Sequence, residues 1–230
     1  MSNNASKGFK GIGMEGRVAH WYARTRSKDL EQFRQAARRA AQSLRSGSRV
    51  LEVAPGPGFF SVELARLGSF SITGLDISRT MVEIAQENAK KAGVAADFQW
   101  GNASVMPFAD GSFDFVYCSA AFKNFTEPVK ALDEMHRVLR PGGTAVIADL
   151  CKDTPIKTVN RYVEQSGRNR FDAWMTKLAF RFLLLKRAYT RGDFTRMAGE
   201  SHFGSCVIEA DSIGFAVKFT KPGLAQAGAA

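Results

Sequence analysis

The stretch Val50–Phe60, VLEVAPGPGFF, decides how this 230-residue chain is read. An apolar run from Arg49 to Ala54 stops at Pro55-Gly56-Pro57-Gly58, and a helix-like segment, Phe59 to Leu67, follows. Strand, glycine turn and helix bring backbone N–H groups and a helix N-terminus close to an anionic or polar ligand group. Glycine serves in such a turn because a Cβ would block the approach.

The same alternation continues downstream. Ser69–Asp76 reads as strand 2, Ser78 as an N-cap, Arg79–Lys91 as a helix stopped by Gly93, and Ala96–Trp100 as strand 3. Phe113–Cys118 follows as strand 4, Glu127–Leu139 as a helix ended by Pro141-Gly142-Gly143, and Thr144–Leu150 as strand 5. Regular βα alternation predicts a parallel, doubly wound sheet with helices on both faces. Upstream, Met14–Arg26 and Asp29–Leu44 read as helices. Downstream, Pro155–Gly167, Asn169–Arg187 and Thr190–Ala198 do too, before two strands, Ser205–Glu209 and Gly214–Thr220. Residues 1–13 and 222–230 are expected to be mobile tails around one domain, residues 14–221. Within it, residues 14–47 form a helical cap, 48–151 a ligand-binding core, 152–199 pocket helices and 200–221 the closing strands. Gly11, Gly13 and Gly16 spell a glycine fingerprint, but no strand precedes them, so it lacks its context.

The net charge of +10 is unevenly placed. Residues 1–49 carry +8 and residues 152–196 carry +7, around a middle, residues 50–151, of −4. Such flanks attract an anionic substrate, a nucleic acid or an acidic surface, or are simply a solvated basic exterior. No apolar run is long enough to span a bilayer, and the first 13 residues contain no apolar signal core. Cys118, Cys151 and Cys206 are odd in number and widely spaced, which fits a reducing cytoplasm.

In a doubly wound sheet the ligand sits at the carboxyl ends of the strands. Those ends are Ala54–Gly58, Asp76, Gly101-Asn102-Ala103 and Cys118-Ser119-Ala120. A carboxylate after strand 2 suits a ribose diol, because it accepts from both hydroxyls. Asp76 lies 20 positions after Gly56, a spacing that suits a dinucleotide as well, but the third glycine of that fingerprint would fall at Ser61.

Taken in order, VLEVAPGPG, GLDIS, GNASVMPF, FDFVYCSAAFKNFTEP and ALDEMHRVLRPGG resemble the class I S-adenosylmethionine-dependent methyltransferases. The nearest branch is the small-molecule, type 11 or ubiquinone-biosynthesis-like one. The resemblance spans roughly residues 48–150 and implies a mostly parallel seven-stranded Rossmann-like sheet of order 3-2-1-4-5-7-6 with an antiparallel last strand. It also implies S-adenosyl-L-methionine as cofactor and S-adenosyl-L-homocysteine as product. By this resemblance Glu52, Ala54, Gly56 and Gly58 lie along the methionine part of the cofactor, with Ala54 where the family usually has its first glycine. Asp76 matches the ribose-binding acid, and Ile77 the apolar residue beside adenine. Asn102 stands where Asp is frequent, against the adenine amino group, with Ala103 beside it. Ser119 and Ala120 match the wall beneath the sulfonium.

Methyl transfer from a sulfonium needs alignment and exclusion of water, and a base only if the acceptor must lose a proton. On the N-terminal helix, His20 is a candidate base and Tyr22 a candidate active-site contact. The family often carries a His pair after strand 4, whereas this chain has Lys123-Asn124, so no role passes from those histidines. Lys123 is read either as binding an anionic acceptor or as an exposed loop lysine. The insertion Pro155–Arg191 is where the family builds its acceptor pocket. It holds Tyr162, Phe171, Trp174, Met175, Phe180, Phe182 and Tyr189 among arginines, a combination suited to a planar or acidic acceptor. The expected partner is a small-molecule acceptor, methylated at O, N, S or C, with the protein a monomer or homodimer and no metal in the site. An RNA methyltransferase is the alternative suggested by the basic flanks, and a non-catalytic cofactor-binding protein the alternative from another class.

Overall fold

The computed structural model describes residues 8–10, 14–165, 170–179, 184–210 and 213–223. Seven strands form one sheet: β1 (Arg49–Val53), β2 (Ser71–Asp76), β3 (Asp97–Trp100), β4 (Phe113–Ser119), β5 (Leu139–Leu150), β6 (Val207–Ala210) and β7 (Gly214–Thr220). Their order is β3-β2-β1-β4-β5-β7-β6, as expected. The pairs from β3 to β5 are parallel, and β7 lies antiparallel to both β5 and β6.

The central strand shows why this sheet forms. Val50, Leu51 and Val53 are completely buried, because helices cover both faces of β1. Val50 joins Phe60, Leu64 and the alanines Ala37 and Ala40 on one face; Leu51 and Val53 join Leu132, Met135 and Phe194 on the other. The first face is covered by α2 (Leu30–Ala41) and α3 (Phe59–Ala65), with α4 (Arg79–Ala92) packed beside α3 over Phe98. The second face carries α5 (Pro128–Val138) and, near the chain end, α9 (Arg191–Glu200). Ahead of α2 comes α1 (Gly16–Arg26), whose Ala19 and Ala23 sit against Met81 and Ile84 of α4. The helical insertion after β5 contains α6 (Ile156–Gln165), α7 (Arg170–Ala179) and the single turn α8 (Leu185–Arg187). Among the described residues no helix is long and apolar enough to cross a membrane.

Local signals set the helix ends. The Ser78 hydroxyl accepts from the Met81 N–H, and Gly93 closes α4 in the left-handed region at φ +66°. Two expectations are corrected. β5 already starts at Leu139, directly after the helix and paired with Phe113; the ladder with β4 resumes only at Thr144, opposite Phe115, so Pro141-Gly142-Gly143 bulge out of it, with Gly142 at φ +79°. A Cβ on Gly143 would stand 2.9 Å from the Arg140 carbonyl oxygen, so glycine is what lets the strand bend there. Of the long helix expected from Asn169 to Arg187, α7 and α8 are helical, and residues 180–183 between them lie outside the described residues. Finally, Gly8 to Lys10, placed in a mobile tail, are paired with the loop after β4 through an antiparallel bridge between Phe9 and Phe125. The rest of both expected tails, apart from Pro222 and Gly223, lies outside the described residues, as do Asp211 and Ser212.

Candidate functional site

The carboxyl ends of β1, β2 and β4 bring most of the expected residues together. β1 leaves the sheet through Ala54, Gly56 and Gly58, all at positive φ (+55°, +54° and +73°). Among the described residues only Ala54 and Ala120 are non-glycine residues with positive φ, and they stand at the ends of the two adjacent central strands. Strain of this kind, on the order of 1–2 kcal/mol per residue, persists where the surroundings impose it and gathers at functional sites.

Asp76 organises the turn. Its carboxylate accepts from the Gly56 N–H at 2.9 Å on one oxygen and from the Ser78 N–H at 2.9 Å on the other. Each oxygen keeps a second lone pair, which is what a ribose diol would use. Burial pushes the carboxyl up to about 6 despite these bonds. A Cβ on Gly56 would meet only the Tyr22 ring, at 3.9 Å, so this glycine leaves its face open. Gly58 differs: its Cβ would run into Ala85 and Phe98, both at 2.9 Å, inside the packing of α4 on β3.

Glu52 is buried beneath the turn, where its carboxylate accepts from the Ser61 hydroxyl at 2.5 Å and from the Ser61 N–H at 3.2 Å. Ser61, where a dinucleotide fold would have its third glycine, therefore anchors an acid. Sequence reasoning missed this role, and the absent glycine was its only signal. Burial is the main force that raises the Glu52 carboxyl to about 8. The folded value lies above the unfolded one, so folding favours the protonated form, and stability falls as pH rises from about 4.5 to about 8. Glutamine can accept the same two bonds without titrating. Glu52→Gln is expected to make the free protein about 2–4 kcal/mol more stable at pH 7 and to change little near pH 4. Urea unfolding at the two pH values checks it; equal stability at pH 7 refutes the buried, titrating acid.

Just after β2, Ile77 is half-buried and its carbonyl accepts from the Trp100 indole N–H at 3.0 Å. The Asn102 side-chain oxygen accepts from the Ser104 N–H at 2.9 Å, closing a turn that leaves the amide nitrogen available. Ala103 packs half-buried against the main core, and Ser119 ends β4 half-buried. A ligand with a ribose, an adjacent planar base and a cationic end fits these residues. Asp76 offers lone pairs, the Gly56 face is open, and a cation would relieve the cost of ionising Glu52.

Comparison with known proteins agrees with this geometry. Residues 51–147 match the family model described as a methyltransferase domain. The demethylmenaquinone methyltransferase of Deinococcus radiodurans is 40% identical over 119 residues, 51% of this chain and 48% of that protein. The O-methyltransferase resE of Aspergillus sclerotiorum is 38% identical over 117 residues, 50% of this chain and 44% of that protein. The chain thus matches under half the length of these relatives. A Methanococcus maripaludis structure, provisionally described as an S-adenosyl-L-methionine-dependent methyltransferase, covers 96% of this chain and 97% of its own, with TM-score 0.73 and 19% identity.

Residues 51–147 form a methyltransferase-like domain.

Around that methyltransferase-like domain the acceptor-side residues are placed less as expected. His20 is exposed on the outer side of α1, while Tyr22, three residues after the buried Ala19, turns inward to Gly56. Burial raises the Tyr22 hydroxyl, Arg26 opposes this, and Asp76, Asp29 and Asp149 add to it, so Tyr22 is a donor at neutral pH. Lys123 is not an exposed loop lysine. It is buried and paired with Asp149 of β5 at 2.8 Å, and its ammonium also donates to the Ala120 carbonyl. Asp149 in turn accepts from the Lys123 backbone N–H at 3.1 Å. Asp149 is the second residue that sequence reasoning missed: nothing in its local pattern marks it, since only the sheet brings β5 beside the loop after β4.

Tyr162 is half-buried and its hydroxyl accepts from Gln32 at 2.8 Å, tying α6 to α2. Trp174 is 58% exposed and Met175 45%, so neither lines an enclosed pocket wall. The Tyr189 ring packs against Phe122 and Phe194. Phe180, Phe182 and the Phe171 side chain lie outside the described residues. A cleft of about 360 Å³ that includes His136, His202 and Lys221 lies at the other end of the sheet, where β5 begins.

Proposed function

We propose that this chain transfers a methyl group from S-adenosyl-L-methionine to a small-molecule acceptor. The observation that carries the reading is the buried Asp76 carboxylate, held by the Gly56 and Ser78 N–H groups beside the open face of Gly56. The bound cofactor would supply an activated methyl on sulfur, and the protein's part is to hold, align and shield it. Asp76 would accept from the ribose, Ile77 and Asn102 would flank adenine with Ala103 beside them, and Glu52, Ala54 and Gly56 would lie along the methionine end. Ser119 and Ala120, after β4, would form the floor on the acceptor side.

The described residues at the strand ends favour an acceptor that is already nucleophilic. Tyr22 keeps its proton, Lys123 is committed to Asp149, and burial holds the Cys118 thiol well above its ordinary value. His20 faces away. Alignment of an ionised or amine acceptor needs no proton transfer by the protein. The basic charge of the insertion supports an acidic acceptor.

Calorimetric titration with S-adenosylhomocysteine tests the placement. Asp76→Ala is expected to weaken binding by about 1.5–3 kcal/mol, as for a lost hydrogen bond to a charged group. Unchanged affinity would remove Asp76 from the site.

A further inference from the structure

The first described residues cross the adenine side of the site. Gly8 is buried, and a Cβ built on it would stand 2.8 Å from both polar side-chain atoms of Asn102 and 2.8 Å from Ile77 Cδ1. These are the two side chains assigned to adenine above. The strap is held from both sides. The Thr126 N–H donates to the Gly8 carbonyl at 3.2 Å, the Lys10 N–H donates to the Asn124 carbonyl at 2.7 Å, and Phe9 bridges Phe125. From the helical insertion, the Lys10 ammonium donates to the Tyr189 hydroxyl at 3.2 Å and Arg187 donates to the Lys10 carbonyl at 3.2 Å.

We propose that Gly8–Lys10 is a gate across the cofactor site, which must lift for the cofactor to enter and for its product to leave. The inference rests on the assignment of Ile77 and Asn102 to the adenine end. Glycine at position 8 is what allows the backbone to lie this close, since a Cβ there would displace Asn102, whose oxygen is already engaged by Ser104. The gate is cheap to open. It is fastened by a few hydrogen bonds near the surface, and such segments detach locally without unfolding the core. It also ties the two halves of the site together, because Tyr189 and Arg187, which fasten Lys10, belong to the insertion assigned to the acceptor.

Release of radiolabelled S-adenosylhomocysteine from full-length protein, followed by rapid filtration, tests the gate. Gly8→Val cannot lie on Asn102 and Ile77. Lys10→Pro removes both the N–H bonded to Asn124 and the ammonium bonded to Tyr189. Each variant is expected to release the product about fivefold faster or more, the ratio set by losing about one backbone hydrogen bond. Lys10 is exposed, and a thermal melt confirms that each variant folds. Release at the wild-type rate from folded Lys10→Pro protein overturns the gate while leaving the cofactor site intact. Failure of the wild-type protein to bind the product at all overturns the cofactor assignment itself.

Discussion

Gly58→Val is expected to destabilise the whole domain by about 3–5 kcal/mol, the sum of left-handed backbone strain on a branched residue and overpacking. Gly58 sits at φ +73°, and its Cβ would be 2.9 Å from Ala85 and from Phe98, which are 0% and 3% exposed. Neither neighbour has room to move, because both belong to the core between α4 and β3. The glycine motif suggests the opposite outcome, a folded protein with its cofactor approach blocked. On the reading proposed above that task falls to Gly56, which faces open space apart from the Tyr22 ring. Urea unfolding of Gly58→Val decides between the two, since a midpoint equal to wild type would mean that this side of the turn is not packed as described.

Asp149→Ala is expected to cost about 3–5 kcal/mol, because it strands a buried ammonium. Lys123 is 5% exposed and Asp149 8%, and the carboxylate also accepts from the Lys123 N–H. The loss reflects an uncompensated charge and not the worth of the pair. Lys123→Met combined with Asp149→Leu removes both charges and is therefore expected to recover most of the stability. Unfolding free energies for the two single variants and the double variant form the cycle. A double variant as unstable as the sum of the singles would show that the two side chains act independently.

Most of the strand-end geometry of the candidate site was legible in the chain because its signals are local. Ala54 to Gly58 ends a strand, Ser78 caps a helix, and Asp76 is two residues ahead of that cap; all three follow from short-range rules. Strand order was legible as well, through the ordered run of motifs. What sequence could not show is what the sheet brings together from afar. Lys123 looked exposed because its neighbours in sequence are a loop, and its partner Asp149 is 26 positions away on another strand. Gly8 lies more than 90 residues from Asn102, in a stretch too polar and glycine-rich to predict as ordered. Pro141-Gly142-Gly143 misled for a different reason. Proline and glycine favour turns, and here they bulge out of a strand that pairing of Leu139 with Phe113 has already begun. Tyr22 and His20 share one short helix, and only the burial of Ala19 and Ala23 decides which of the two faces inward.

The helical insertion leaves the sheet at Leu150; the chain re-enters the sheet in β6 and returns along β7, whose Gly214 pairs with Leu150 directly. The bridge from Cys151 to Tyr189 and the bond from the Cys151 N–H to the Ile213 carbonyl hold the two stems side by side. A segment whose ends already touch behaves as an interchangeable module. Doubling its length adds only about 0.6 kcal/mol of closure entropy, and no strand that carries the donor residues must shift to admit it. On the reading proposed above, rewriting the insertion between Pro155 and Tyr189 would exchange one acceptor for another over evolutionary time, while Glu52, Gly56 and Asp76 stay where they are.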